Sequence, residues 1–463
     1  MATIKKRGNG YSVIYSHLNS DGEKKQKWES FSTHAAAKAR KITVENDLQE
    51  GVFVAPSQLT VSEYLDTFME LYGAKKWALS SYTRNQRIFT NYVIPYMGDV
   101  KMQEVTPLSI EKYYHELLYS ASKVKNKRSN TATTGVIMQI HKSLKCAFHN
   151  AERWEIIKKN PFENVTPPKH TYQKRAILTS DEILIALRAC NYPQLTIAIH
   201  LAFACSLRIG EALGLKWSDI HISDEDIANN DAHIQVSREL SRVSVDAMEK
   251  LGKKDIEFVF PPIILKQEHK TRLVLKKPKT DSSIRKIWLP EQLAYLLREW
   301  RQDQQKYKEF FGKEYKNYDL VIALEDGRPI ARDIISKEFD ELLKKAGLPK
   351  VVFHSLRHSS TTYKLKLNHG DIKATQGDTG HAQADMVMDV YSHILDEDRK
   401  VNAQKFNSEF YKQEIDEKSS KNKKTELSVD KLMKALQKDP ELMRELIDAL
   451  KLYTIVLFWF IRC

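Results

Sequence analysis

The stretch NPFENVTPPKHTYQKRA, Asn160 to Ala176, limits what this chain can fold into more than any other segment. Each of its three prolines lacks a backbone N–H and holds the residue before it out of the α region, so neither a helix nor an inner strand runs through. With basic residues around the prolines and no helical period, 161–176 is predicted to be an exposed linker marking a domain boundary. The length agrees: 463 residues exceed what one hydrophobic core supports, and two or three domains are expected.

Upstream of the linker the hydrophobic period changes once. Residues 3 to 31 alternate as strands do and are broken at Gly8, Asn9 and Gly10 and again at Asn19, Ser20, Asp21 and Gly22. Three short strands joined by hairpin turns are predicted. Thr33 stands where an N-cap belongs, ahead of a helix from about Ala35 to Leu48, so residues 1–56 read as a small sheet carrying one helix. From Thr60 the period is helical. TVSE is a capping box before Tyr64, Leu65, Phe68 and Leu71, and further helices are predicted at Ser80 to Val93, Leu108 to Leu118 and Thr131 to Trp154, with breaks at Pro95 and Gly98. Residues 59–160 are therefore expected to be an all-α bundle.

Downstream, helices alternate with a few strands, around His233 to Val236, Arg272 to Lys276 and Ile284 to Leu289, as in a mixed α+β domain over 177–411. Ser241 to Lys270 reads as an insertion, because a short turn could join the flanking strands. In 412–463 the charged linker DEKSSKNKKTE precedes an amphipathic helix opened by Asp439, Pro440 and Glu441. The apolar tail YTIVLFWFIRC is too short to span a bilayer and is expected to pack on protein.

Lys and Arg outnumber Asp and Glu by 73 to 60, a net charge of +13 that favours a polyanionic partner. Lys5, Lys6, Arg7, Lys24, Lys25 and Lys27 crowd the first sheet, with Tyr11 and Trp28 among them. That is more charge than so small a unit needs for solubility, and it points to a DNA-contacting sheet. Cys146, Cys190, Cys205 and Cys463 are scattered without a CxxC pair, so neither a zinc site nor a disulfide framework is expected, and a reducing compartment fits. No apolar run opens the chain or reaches the roughly 20 residues of a membrane span. A cytoplasmic protein with no membrane partner is expected.

Four short segments carry residues suited to phosphoryl transfer, which needs cationic donors around a phosphorus that gathers charge, an activated nucleophile and a proton donor for the leaving oxygen. Arg208 lies in ACSLRIGEALGLKW, where an apolar helix ends and another begins, so its guanidinium can be aimed from a helix N-terminus. Taken alone, Arg208 beside Glu211 is more often a surface ion pair. In FHSLRHSST, His354 and Arg357 stand three apart and on a helix share one face while Leu356 turns inward, so one phosphate can meet both. His381 follows Gly380 in GDTGH, and Tyr391 lies ten residues on in MDVYSHI.

The ordered set LRIGEALGL, PKTDSSIRKI, HSLRH, TGH and VYSHI resembles the catalytic domain of the tyrosine recombinases, the phage integrases, over roughly Ile177 to Tyr411. The basic first unit is similar to the arm-site binding domain of integrases from phages and conjugative transposons of Gram-positive bacteria, and 59–160 to their core-binding domain. The resemblance implies that Arg208, Arg357 and His381 grip the scissile phosphate, that Tyr391 attacks it and that His354 assists proton transfer. It also implies that Lys279 in PKT protonates the departing 5′ oxygen, with Lys276 and Lys277 near enough to compete for that role. A phenol of reference pKa about 10 needs such cations to act as a nucleophile. No metal or cofactor is expected.

The implied function is site-specific recombination through a 3′-phosphotyrosyl bond, integrating and excising a mobile element in a bacterial cell. Four protomers would act on two double-stranded attachment sites, with accessory DNA-bending or excision factors as further partners. A type IB topoisomerase and a DNA-binding regulator with a decayed site are the rival readings. The arm-like first unit argues against the former and the presence of all six polar groups against the latter. TGH for the more usual LGH loses a packing side chain, and the 241–270 segment is longer than in compact members. Neither departure removes a catalytic group.

Overall fold

The computed structural model describes residues 2–18, 23–51, 53–120, 131–171, 176–262, 269–278, 280, 283–368 and 371–379, together with Glu441 and Arg444. Met1–Tyr363 with Gly377–Ala382 makes one compact unit, and 364–376 with 383–463 make a second. In the second unit Asp371 Oδ1 accepts the Lys373 and Ala374 N–H groups at 2.9 Å each, the start of a helical turn. The expected C-terminal linker, helix and tail lie outside the described residues, except that Glu441 and Arg444 are helical.

The N-terminal alternation produces three antiparallel strands in the order β1-β2-β3: β1 (Thr3–Arg7), β2 (Gly10–Leu18) and β3 (Lys24–Phe31). Gly8 takes φ +55 in the tight turn after β1, a conformation that glycine adopts without penalty. The helix His34–Gln49 starts where Thr33 caps it, the Thr33 hydroxyl accepting the Ala36 N–H at 3.2 Å. It covers one sheet face, burying Ala2, Val13, Tyr15, Ala37 and Val44 together.

The helical bundle begins with the predicted capping box, Thr60 and Glu63 bonding reciprocally. Helix 61–76 contains a π segment, Met69–Gly73, and helix 79–97 contains another, Phe89–Val93. Pro95 does not end the helix before it. The π segment shifts the hydrogen-bond ladder just ahead of Pro95, which then occupies the first turn of Ile94–Met97, where its missing N–H is tolerated. Helices Pro107–Tyr119 and Thr134–Arg153 complete the bundle. Its core is rich in aromatics, among them Tyr64, Phe68, Phe89, Phe148 and Phe162. Each fully buried side chain of this size contributes roughly 1.5–3 kcal/mol by leaving water.

The proline stretch starts inside this core, contrary to an exposed linker from residue 161. Asn160 Oδ1 accepts the Phe162 N–H at 3.0 Å and caps the short 3-10 turn Pro161–Asn164. With that polar group satisfied, Phe162 and Val165 are buried against the bundle. From Thr166 to Thr171 the chain is exposed or half-buried.

Among the described residues the mixed region holds two three-stranded antiparallel sheets. One is ordered β4-β5-β9, from β4 (Ile220–His221), β5 (His233–Val236) and β9 (Arg285–Trp288). The other is ordered β6-β8-β7, from β6 (Glu239–Ser244), β7 (Ile256–Val259) and β8 (Thr271–Lys276). The three predicted strands are β5, β8 and β9. The Ser241 to Lys270 segment is more than an insertion: its first residues lie in β6, with Ser241 opposite Val274, and the rest links β6 to its neighbour β8 and supplies β7, the third strand of that sheet. The reason is pairing, since β5 joins β9 directly and leaves β8 to build its own sheet. Helices of the region include Ser180–Ala189, Pro193–Ala204, Ile209–Gly214, Glu291–Phe311, Arg332–Lys345 and Ser355–Leu367. Among the described residues no helix is long and apolar enough to cross a membrane.

The second sheet also reaches the bundle. Val243, Ala247, Met248, Leu251 and Val274 belong to the same buried cluster as the bundle aromatics, and Gln86 Nε2 donates to Asp246 Oδ2 at 2.9 Å. Helix Val245–Lys250 thus joins the two sides of the proline stretch. Placing a carboxylate in this apolar cluster by Ala247→Asp should cost about 3 kcal/mol and increase hydrogen exchange in Thr134–Arg153 as well as in β8. The exposed neighbour substitution Asp246→Ala should cost less than about 1 kcal/mol. Exchange changes confined to 241–276 would show that the two sides unfold independently.

Candidate functional site

The site begins where one helix hands over to the next. Pro193–Ala204 is apolar around its circumference, PQLTIAIHLAFA, and is buried at the centre of the mixed region. After Cys205 the chain reverses through Ser206, whose φ of 54 is uncommon for a residue with a Cβ. Two contacts hold it there: its hydroxyl pairs with Ser360 Oγ at 2.6 Å, and its carbonyl accepts from Arg357 Nη1. The reversal delivers Arg208 to the N-cap of Ile209–Gly214, as the sequence predicted. That helix lies backbone to backbone on β6. A Cβ at Gly214 would sit 2.6 Å from the Leu240 nitrogen and one at Gly210 3.1 Å from the Leu240 oxygen, so two glycines four apart set the approach.

Glu211 is not half of a surface pair. Its side chain is 1% exposed, and three guanidiniums surround it. Arg208 Nη1 donates to Oε1 at 2.7 Å, the Arg208 N–H to Oε2 at 3.0 Å and Arg285 Nη2 to Oε2 at 3.1 Å. Arg357 Nη1 lies 4.0 Å from Oε2. Burial raises the carboxyl pKa, but Arg285 and Arg208 outweigh it and hold the group below its ordinary value. One carboxylate against three cations leaves a local positive excess, which suits an anion.

His354 and Arg357 do not share a helix face. The helix begins at Ser355, so His354 belongs to the turn before it, half-buried, with its ring 5.0 Å from that of His358. Arg357 is in the first helical turn and 1% exposed, donating to the carbonyls of Ser206 and Thr379. Its Nε is buried with no partner among the described residues. Burial, and then repulsion from Arg208, push the guanidinium down to about 9 against the pull of Glu211; it is still a cation at neutral pH. Leu356 turns into the core, as predicted.

Arg208, 33% exposed, and His354 line one cleft of about 420 Å³, together with Arg242, Arg332, Glu239 and Asp333. Neither Arg242 nor Arg332 was marked by a motif. Arg285 was within reach of the sequence pattern: β9 alternates, burying Arg285 and Ile287 and exposing Lys286 and Trp288, so an arginine shares the inward face with an isoleucine. Of the candidate lysines, Lys276 is buried and ion-paired with Glu239, and Lys277 is exposed. Lys279, His381 and Tyr391 lie outside the described residues. Among the described residues no group of three or more His, Cys, Asp or Glu could hold a metal ion.

Register divides the six basic residues of the first sheet. Lys6 pairs with Tyr11, Lys25 with His17 and Lys27 with Tyr15, on the helix-covered face that buries Val13 and Tyr15. Lys5, Arg7 and Lys24 alternate onto the opposite face, where the Arg7 guanidinium lies 4.4 Å over the Trp28 ring.

Residues 176–398 match the phage integrase family, and residues 60–118 match the N-terminal SAM-like domain of phage integrases. A tyrosine recombinase XerC-like protein of Caldanaerobacter subterraneus is 24% identical over 381 residues, covering 80% of this chain and 88% of the relative. The ICEBs1 integrase of Bacillus subtilis is 24% identical over 339 residues, 70% of this chain and 77% of that protein. The solved structure of the Tn1549 transposon integrase with transposon right-end DNA shares the fold, with a TM-score of 0.55 and 19% identity over 75% of this chain and 99% of that one. The chain belongs to the phage integrase family and is a tyrosine site-specific recombinase acting on DNA.

The linkage of Glu211 to stability has a definite sign. Its folded pKa is lowered, so its contribution is fully present above the ordinary value of 4.5 and is lost as pH falls through the folded value. Glu211→Gln should therefore unfold more easily than the parent at neutral pH, by about 3 kcal/mol. Denaturant midpoints measured between pH 7 and 3 should converge as the pH falls; a constant gap would show that the charge of Glu211 is not what matters.

Proposed function

We propose that this recombinase integrates and excises a mobile element by cutting and rejoining double-stranded attachment sites through a 3′-phosphotyrosyl intermediate. The observation that carries this reading is the convergence of Arg208 and Arg357 on buried Glu211, beside a cleft that Arg208 shares with His354. Arg208 and Arg357 bind the non-bridging oxygens of the scissile phosphate, and the unpartnered Nε of Arg357 is a donor such an oxygen can use. Guanidiniums fixed before the substrate arrives stabilise the charge that builds on phosphorus without reorganising.

In the same proposal His381 completes the grip, Tyr391 is the nucleophile, His354 assists proton transfer and Lys279 protonates the leaving 5′ oxygen. The engagement of Lys276 with Glu239 favours Lys279 over Lys276 for the last role. The phosphotyrosyl bond conserves the energy of the broken phosphodiester, so no nucleotide cofactor is called for. Residues 1–56 hold arm-type sites, 59–160 grip the core site and 177–411 carry the chemistry, with four protomers in the synaptic complex and accessory DNA-bending factors assisting.

A nicked duplex taken from the DNA flanking the gene should trap the parent protein covalently, whereas Tyr391→Phe should bind that duplex with unchanged affinity and give no adduct. Binding without an adduct by the parent would favour a regulator over an enzyme. Relaxation of supercoiled DNA with no two-site recombination would favour a topoisomerase.

For the first sheet, the split between faces predicts which lysines matter. Lys5→Ala with Arg7→Ala should weaken duplex binding and lower the slope of log affinity against log salt by about 0.9 for each phosphate no longer neutralised. Lys6→Ala with Lys25→Ala should leave that slope nearly unchanged. Equal slopes for the two double variants would remove the open face from the DNA interface.

A further inference from the structure

We propose that Arg285 is a positioning residue of the recombination site, which holds Glu211 so that this carboxylate orients Arg208 without capturing Arg357. The inference rests on the reading that Arg208 and Arg357 bind the scissile phosphate. Arg285 stands on β9, 74 residues along the chain from Glu211, and its side chain is 7% exposed. Among the described residues its Nη1 donates to the Ser283 carbonyl at 3.0 Å and its Nη2 to Glu211 Oε2 at 3.1 Å. Neither Arg285 nor Glu211 lines the cleft that holds Arg208 and His354, and among the described residues Glu211 is what connects Arg285 to Arg208 there.

The geometry of Glu211 makes the restraint matter. Oε1 is taken by Arg208 Nη1 at 2.7 Å, and Oε2 by the Arg208 N–H and Arg285. The next cation is Arg357 Nη1, 4.0 Å from Oε2, just beyond a hydrogen bond. With Arg285 gone, Oε2 loses a charged donor in a buried site, and closing on Arg357 is its nearest compensation. An Arg357 drawn onto Glu211 has less charge and fewer N–H groups for a phosphate. Arg285 thus keeps the one anion of the cluster from quenching the cations the substrate needs.

The test uses the full chain and the nicked duplex from the flanking DNA, with duplex affinity and the rate of covalent adduct formation read separately. Arg285→Met should bind within about threefold of the parent and form adduct 10- to 100-fold more slowly, the scale expected when a catalytic group is displaced by about 1 Å. The decisive readout is the double variant Arg285→Met with Glu211→Gln. A neutral amide does not capture Arg357, so the double variant should form adduct faster than Arg285→Met alone, a rescue that a purely structural role for Arg285 does not produce. Parental adduct rates in folded Arg285→Met overturn the proposal, as does a double variant slowed by the product of the single effects. If Arg285→Met does not fold, the neutral Arg285→Gln decides: slow adduct formation with intact binding supports the proposal, and a parental rate overturns it. Adduct that persists in Tyr391→Phe would strike instead at the reading of the site on which the proposal stands.

Discussion

A carboxylate enclosed by three guanidiniums is the interaction on which the rest of this structure turns. Taking Glu211, Arg285 and Arg357 out of water carries a large desolvation penalty, and replacing such a cluster by apolar side chains is often neutral or stabilising in other proteins. Stability alone is therefore a weak account of why the mixed region contains it. What the cluster provides is arrangement. One anion fixes the directions of Arg208 and Arg285, and Arg208 reaches from this cluster into a cleft in a family that acts on DNA.

The surrounding backbone is adapted to that cluster. Ser206 accepts a left-handed conformation so that an apolar helix ends and a polar turn begins within four residues, and its carbonyl and hydroxyl are both used to hold the Arg357 helix. Strain of this kind persists only where the neighbours over-determine it. Gly210 and Gly214 let the next helix lie against β6, and β6 in turn belongs to a sheet whose residues enter the core of the helical bundle. The cations are thereby connected mechanically to the bundle through one strand and the short helix Val245–Lys250, the part of the chain that looked most like an insertion.

Much of this was legible in local pattern. The alternation in residues 3–31, the caps at Thr33 and Thr60 and the helical periods of the bundle correspond to elements that form for local reasons, and they stand close to where the pattern places them. Arg208 at a helix start was visible because an apolar run stops immediately before it. What failed had non-local causes. Pro95 reads as a stop unless the π segment before it is known, and Phe162 reads as part of a linker unless the bundle that buries it is present. The 241–270 segment reads as an excursion because strand partners separated by thirty residues leave no mark on either strand alone.

By itself the sequence determined which chemical groups this protein has and the order in which they come. Side-chain identity, hydrophobic period and the five ordered motifs are properties of neighbouring residues, and they sufficed to point to a family of DNA recombinases. Only the tertiary structure decided what those groups do to one another. Glu211 and Arg208 are three residues apart in any conformation, but whether that pair is a solvated surface contact or a buried hub depends on Arg285 and Arg357 arriving from 74 and 146 residues downstream. The strength and direction of an electrostatic interaction are set by distance and desolvation, and both come from packing that no local stretch of the chain contains.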